Sequence, residues 1–325
     1  MSKSEFYDDL FARVNFLEQN EVEQLKEYYE ELICDGMEAG ASEEEVIDKL
    51  ENPESVAQRL IIEYGQGKRN RSRSRGTREG EQGLYTPEDT VKRLVIHAKD
   101  RGIIFKKSMD NKVRIYCRLD DSEEVIYHES DGCFFFRQDT RRSLRFMMFG
   151  IRRTYPIEVE LPEELDSIEV ETTNGGIRGE DIHILEEVKF RTSNGGIRMD
   201  TIECKKILAT TENAGINLTD ANGEELIADT CNGRVSLERA VISKEIQLRS
   251  SNGGVVFDRI DCPNINLRTS NGMIKGALSG TVGDYAIRSR TSNGSTNLPN
   301  ISYTDQKKKL SAITSNGRIQ VEFYN

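Results

Sequence analysis

Apolar residues in the C-terminal half of the chain keep fixed distances from a recurring asparagine. Six positions before it stand Ile168, Val188, Ile207, Leu226, Ile246, Ile265, Ile287 and Leu310. Three after it stand Ile177, Ile197, Ile216, Val235, Val255, Ile274 and Ile319, with Thr296 as the polar exception. Five after it come Met199, Leu218, Leu237, Phe257, Leu298 and Val321, with Gly179 and Gly276 as gaps. A spacing of two on each side of the asparagine is that of strands with one face buried. The asparagines are Asn174, Asn194, Asn213, Asn232, Asn252, Asn271, Asn293 and Asn316, at intervals of 20, 19, 19, 20, 19, 22 and 23 residues. A period of this size marks a repeat architecture whose units stack.

The residue two before each asparagine is Thr or Ser, and the residue after it is Gly, with Ala214 the exception. Asn and Gly readily take positive φ, so the Asn-Gly step predicts a sharp corner in that conformation. Eight positions after the asparagine, Ile182, Ile202, Ala221, Ala240, Ile260 and Ile301 break the alternation and predict a further bend with a third short strand. Two architectures use such a pattern. One is a meander of antiparallel hairpins turning at each Asn-Gly pair. The other is a parallel β-solenoid of ~19–20-residue coils. The solenoid is favoured, because stacked coils give Asn and Thr side chains, expected to be buried, identical neighbours to hydrogen-bond.

The pattern differs upstream. Short strand-like runs at 94–97, 103–105, 113–117, 125–127, 133–136 and 157–161 lack the Asn-Gly corner and predict an irregular β cap with the early coils. Residues 1–65 instead show helical periodicity. Leu10, Val14 and Leu17 share one face, Asn20 can cap a helix through Leu25, Tyr29 and Ile33, Ser42 with Glu45 forms a capping box, and Asn52-Pro53 opens a fourth helix. The stretch 66–83 is almost wholly polar and carries Lys68, Arg69, Arg71, Arg73, Arg75 and Arg78, the composition of a disordered linker. The expected fold is therefore α+β, mainly β: a helical unit (1–65), a basic linker (66–83) and a β cap with solenoid (84–325).

Charge narrows the function classes. The 325 residues carry a net charge of -11, so wholesale nucleic-acid coating is not expected. No apolar run approaches the ~20 residues of a membrane helix, and the N-terminus lacks a signal-peptide pattern, which points to the cytoplasm. The Arg-rich linker offers peripheral attraction to anionic lipid. Arg141, Arg142, Arg145, Arg152 and Arg153 bracket Phe146, Met147, Met148 and Phe149, readable as a buried strand with charged ends or as a membrane-surface element. Six scattered cysteines without a Cys-x-x-Cys pair read as reduced, mostly buried thiols.

The run Leu17-Glu18-Gln19-Asn20-Glu21, with Tyr28-Tyr29-Glu30-Glu31, Asp35-Gly36-Met37-Glu38, Ser42 through Ile47 and Asn52-Pro53, resembles the HAAS domain found beside PadR-type transcriptional regulators in Gram-positive bacteria. Repeats such as Thr192-Ser193-Asn194-Gly195-Gly196-Ile197 resemble the bacterial putative-adhesin family of β-solenoids from Ile157 onward. The resemblance implies a partner-binding protein in a regulatory or envelope-stress setting.

No catalytic constellation stands out. His97, His128 and His183 lie on unrelated segments without ligand-spaced Cys, Asp or Glu, and no phosphate-loop or nucleophile-elbow motif occurs, so neither cofactor nor metal is expected. The helical unit holds 18 acidic residues against five basic ones, and Glu27, Glu30, Glu31 and Asp35 form a candidate partner face. Three before the asparagine, Arg249, Arg268 and Arg290 would lie in adjacent coils as a candidate anion ladder, unless Glu171, Asp229 and other acids neutralise it. The expected function is a non-enzymatic intracellular scaffold. An adhesin-like binder of anionic polymer and a β-helix carbohydrate-active enzyme are the alternatives.

Overall fold

The computed structural model describes residues 3–14, 22, 25–26, 29–30, 33, 37, 42–50, 52–53, 56, 82–119, 123–140, 155–301 and 306–324. The chain divides into two compact units: residues 1–71 with the short stretch 128–131, and residues 72–127 with 132–325.

In the first unit, α1 (Lys3–Arg13) and α2 (Glu43–Lys49) flank further helical residues at Leu25, Tyr29 and Ile33. Phe6, Leu10, Val14, Tyr29, Ile33, Ile47 and Val56 are buried together, as their helical spacing requires. The capping box forms: Ser42 Oγ accepts from the Glu45 amide at 3.3 Å, and Glu45 Oε2 accepts from the Ser42 amide at 3.1 Å. Leu17, Asn20 and the stretch 66–81 lie outside the described residues, as do residues 141–154.

The second unit is a parallel β-solenoid. Its repeat strands are β8 (Ser167–Thr172), β9 (Ile177–His183), β10 (Glu187–Thr192), β11 (Ile197–Thr211), β12 (Ile216–Thr230), β13 (Val235–Ser250), β14 (Val255–Asp261), β15 (Asn264–Arg268), β16 (Ile274–Ser279), β17 (Tyr285–Thr291), β18 (Lys308–Thr314) and β19 (Ile319–Tyr324). Equivalent residues pair in parallel register, as in Ile197 with Ile216 and Ile216 with Val235, which excludes the hairpin meander. The residues six before and three after the asparagine therefore stack as apolar rows and are buried, except for the exposed Thr296 at the terminal coil.

The upstream strands are β1 (Gln82–Tyr85), β2 (Arg93–Ala98), β3 (Ile103–Lys107), β4 (Arg114–Arg118), β5 (Glu123–Ser130), β6 (Cys133–Thr140) and β7 (Ile157–Leu161). Strands β2 and β3 form the coil directly beneath β8 and β9, and β6 and β7 lie beyond it. Strands β1 and β4 close this end by antiparallel pairing, which breaks the parallel stacking pattern. Gln82 and Gly83 belong to β1, so strand structure begins two residues before the expected boundary at 84. Backbone pairing with Arg118 and Cys117, rather than apolar side chains, orders them.

Chain order and stacking order part company at the far end. Strand β18 pairs with both β15 and β17, so the coil containing Asn316 slots between those of Asn271 and Asn293. The terminal coil is thus the one with β17. Asn300 and Asn297 blunt strand edges at this end: Asn300 Oδ1 accepts from the Ser289 amide of β17 at 2.7 Å, and Asn297 bonds both the N–H and C=O of Val321 in β19 at 3.0 and 2.8 Å.

The corner works differently from its expected conformation. Neither the asparagines nor the glycines after them take positive φ; the positive-φ row is Asp181, Thr201, Asp220, Arg239 and Arg259, seven after the asparagine. This is the further bend that the broken alternation predicts. Asp tolerates it through local hydrogen bonding, whereas β-branched Thr201, at φ 62, is strained there. The corner glycines serve close approach instead: a Cβ on Gly195 would stand 1.8 Å from the Gly175 carbonyl oxygen, and one on Gly253 1.8 Å from that of Gly233.

Candidate interaction surface

Thr and Asn beside the corner form two different ladders. The threonines are buried, apart from half-buried Thr291 in the terminal coil, and each Oγ1 donates to a carbonyl of the coil beneath, as in Thr192 to Gly175 at 3.0 Å and Thr211 to Gly195 at 2.9 Å. In the internal coils most of these oxygens also accept from an amide within their own corner, such as Gly195 to Thr192 at 3.1 Å. The asparagines, expected to be buried, are exposed, because the tight corner turns them outward. Each carboxamide Nδ2 donates to the Oδ1 of the coil below, at 2.7 Å for Asn194 to Asn174 and 2.8 Å for Asn271 to Asn252. The ladder has a direction. It begins at Asp100, whose carboxylate accepts from Asn174, and a group that only accepts fits only that first position.

On the face before the corner, the arginine row is interrupted. Arg249 pairs in register with Arg268, but Ile313 separates Arg268 from Arg290, since β18 is inserted between them. Asp229 lies beside Arg249 and Glu171 beside Arg191, alternating charge along the row. Burial raises the Asp229 pKa, against the opposing pull of Arg249. The three-arginine ladder expected from spacing is therefore a pair plus one isolated residue.

On the face after the corner, an open trough of about 1000 Å³ runs across the early coils. Its floor is bare backbone at Gly176, Gly196 and Gly215, each two after an asparagine. Arg178 and Arg198 rise in register from adjacent strands along it, and Arg234 interrupts the glycine row in the coil after Gly215. Arg198 reaches Asp200 at 3.2 Å, and Lys106 pairs with Glu158 at 2.7 Å. Arg178 and Arg234 form no ion pair among the described residues. Spacing from the asparagine contains this feature, with the glycines at offset two and Arg178 and Arg198 at offset four.

Of the acidic partner face, Glu30 is helical and half-buried, while Glu27, Glu31 and Asp35 lie outside the described residues. Among the described residues no cluster of three metal-ligating side chains occurs, and no helix is long and apolar enough to cross a membrane. His183 contacts Asp181 at 2.9 Å and Glu203 at 3.2 Å. Burial pushes the Cys117 thiol up to about 12 and those of Cys204 and Cys262 up to about 11, so these three are unreactive core groups. Cys231 is exposed, and Cys34 lies outside the described residues.

Similar solved structures include a putative cell adhesion protein from Clostridium sporogenes ATCC 15579, 10% identical, covering 75% of this chain and 100% of that one with a TM-score of 0.29. A putative adhesin from Bacteroides fragilis NCTC 9343 is 12% identical, covering 75% of this chain and 96% of that one with a TM-score of 0.35. No curated protein matches the chain. Residues 5–59 match the HAAS family model. Residues 91–323, most of the chain and all of the repeat region, match Toastrack DUF4097, and the chain belongs to that family.

Proposed function

We propose that this protein is a non-enzymatic interaction scaffold that acts inside the cell, and that its solenoid trough holds a carboxylate-bearing segment of a protein partner. The observation that carries this reading is the presence of Arg178 and Arg234, without ion pairs, at a bare-backbone trough on a protein of net charge -11. Guanidinium groups match carboxylates as bidentate donors, and a glycine floor lets an extended chain lie close to the coils. A Glu-rich peptide should bind the full chain with an affinity that falls as salt rises. Reversing Arg178 and Arg234 to Glu together should weaken that binding at least about tenfold, since each charge-assisted hydrogen bond contributes about 1.5–3 kcal/mol. Unchanged peptide binding, or preference for an anionic glycan such as polygalacturonate, would overturn the protein-partner reading. In the second case, the adhesin-like alternative gains.

The helical unit contributes a second contact in this proposal. Its acidic excess and its HAAS match support capture of a PadR-type regulator through the face that includes Glu27, Glu30, Glu31 and Asp35. Substituting Glu30 and Glu31 by Lys should lower co-purification of such a regulator with the full chain while leaving helical circular dichroism unchanged. Capture that survives the substitution would assign recruitment to the solenoid alone.

A further inference from the structure

Asn-Gly steps are the sequences most prone to spontaneous deamidation, and this solenoid carries seven of them at its exposed corners. In that reaction the backbone nitrogen of the glycine attacks the asparagine Cγ. A C–N bond forms, Nδ2 leaves as ammonia, and water opens the resulting succinimide to aspartate or isoaspartate. The step needs a glycine N–H free to act as nucleophile and a carboxamide free to rotate.

The structure withholds both at the internal corners. The amides of Gly175, Gly195, Gly233, Gly253, Gly272 and Gly317 donate to a Thr or Ser hydroxyl at 2.9–3.2 Å. Each internal carboxamide is also held from both sides, as Asn252 is by Asn232 at 2.7 Å and Asn271 at 2.8 Å. A further Asn-Gly pair, Asn222-Gly223, lies in extended β12 with strands paired on either side.

Asn293 is different. It ends the ladder, donating to Asn316 Oδ1 at 2.7 Å while its own Oδ1 receives no hydrogen bond among the described residues. The Gly294 N–H likewise has no acceptor there, since Thr291 Oγ1 donates to the Gly317 carbonyl at 3.0 Å without capturing it.

We propose that Asn293 is the deamidation site of this chain, and that its conversion unlocks the terminal coil. Aspartate at 293 cannot donate to Asn316, so the last rung of the ladder is lost. Isoaspartate also lengthens the backbone at the corner and shifts Thr291 away from Gly317.

The test ages the purified full chain at mildly alkaline pH and maps peptides by mass spectrometry. Asn293 should convert several-fold faster than Asn194, Asn252 or Asn222, and the aged protein should show faster amide exchange in β17 than in β12. Asn293→Gln should abolish the early product. Conversion at an internal corner first, or at all corners alike, would overturn the proposal.

Discussion

Replacing Glu123 by Ala should lower the unfolding free energy of the solenoid by about 3–5 kcal/mol, the cost of stranding a buried charge. Arg101 stands on the first coil where later coils have the corner glycine, and its side chain is only 2% exposed. Its Nε donates to Glu123 at 2.8 Å and its Nη1 to the Tyr155 carbonyl at 2.6 Å. Gln138, itself buried, donates to the same carboxylate at 3.2 Å. Both ladders start beside this cluster: Thr172 donates to the Arg101 backbone carbonyl at 3.1 Å, and Asn174 donates to the Asp100 carboxylate. The ion pair therefore sits where the Thr and Asn ladders begin. The chain has no tryptophan, so the urea transition is followed by circular dichroism. The double variant Arg101→Met with Glu123→Leu should recover most of the loss, because an apolar pair of similar volume replaces a desolvated ionic one. A loss below about 1 kcal/mol for Glu123→Ala would show that the carboxylate is a surface partner, not a buried cap.

The repeat was legible because parallel register turns each sequence offset into a row in space. Ile168, Val188 and Ile207 stack because they hold the same offset, and no long-range information is needed to place them. The same arithmetic fails where chain order stops being stacking order. Arg268 and Arg290 share an offset, yet β18 comes between them, and only the lengthened intervals of 22 and 23 residues hint at it. Glu123 lies outside the repeat register and Arg101 lies in a coil without the Asn-Gly corner, so no sequence spacing brings the two residues together. Arg178 and Arg198 share an offset, yet their significance comes from the missing side chains beside them, at Gly176 and Gly196, which spacing alone does not weigh.

The corner glycines separate two physical causes that the dipeptide Asn-Gly leaves mixed. If Gly253 were there for positive φ, alanine would cost about 1–2 kcal/mol and asparagine, which visits that region readily, would restore most of it. Its φ is not positive, and the constraint is the Gly233 carbonyl oxygen, 1.8 Å from where a Cβ would stand. That neighbour is backbone, held in the stack by Ser250 Oγ donating to it at 2.8 Å, so it cannot step aside as a flexible side chain would. Gly253→Ala and Gly253→Asn should therefore be equally damaging, each destabilising by about 4 kcal/mol or more, in the range that marks a forced backbone shift or overpacked core. The contrasting position is Arg259, six residues on, where φ is 50 and the side chain is exposed. There Arg259→Asn should be tolerated or slightly stabilising, because that corner is selected by conformation and not by approach. Urea midpoints for the three variants decide the matter. Rescue of Gly253 by asparagine but not by alanine would return the corner to a conformational explanation.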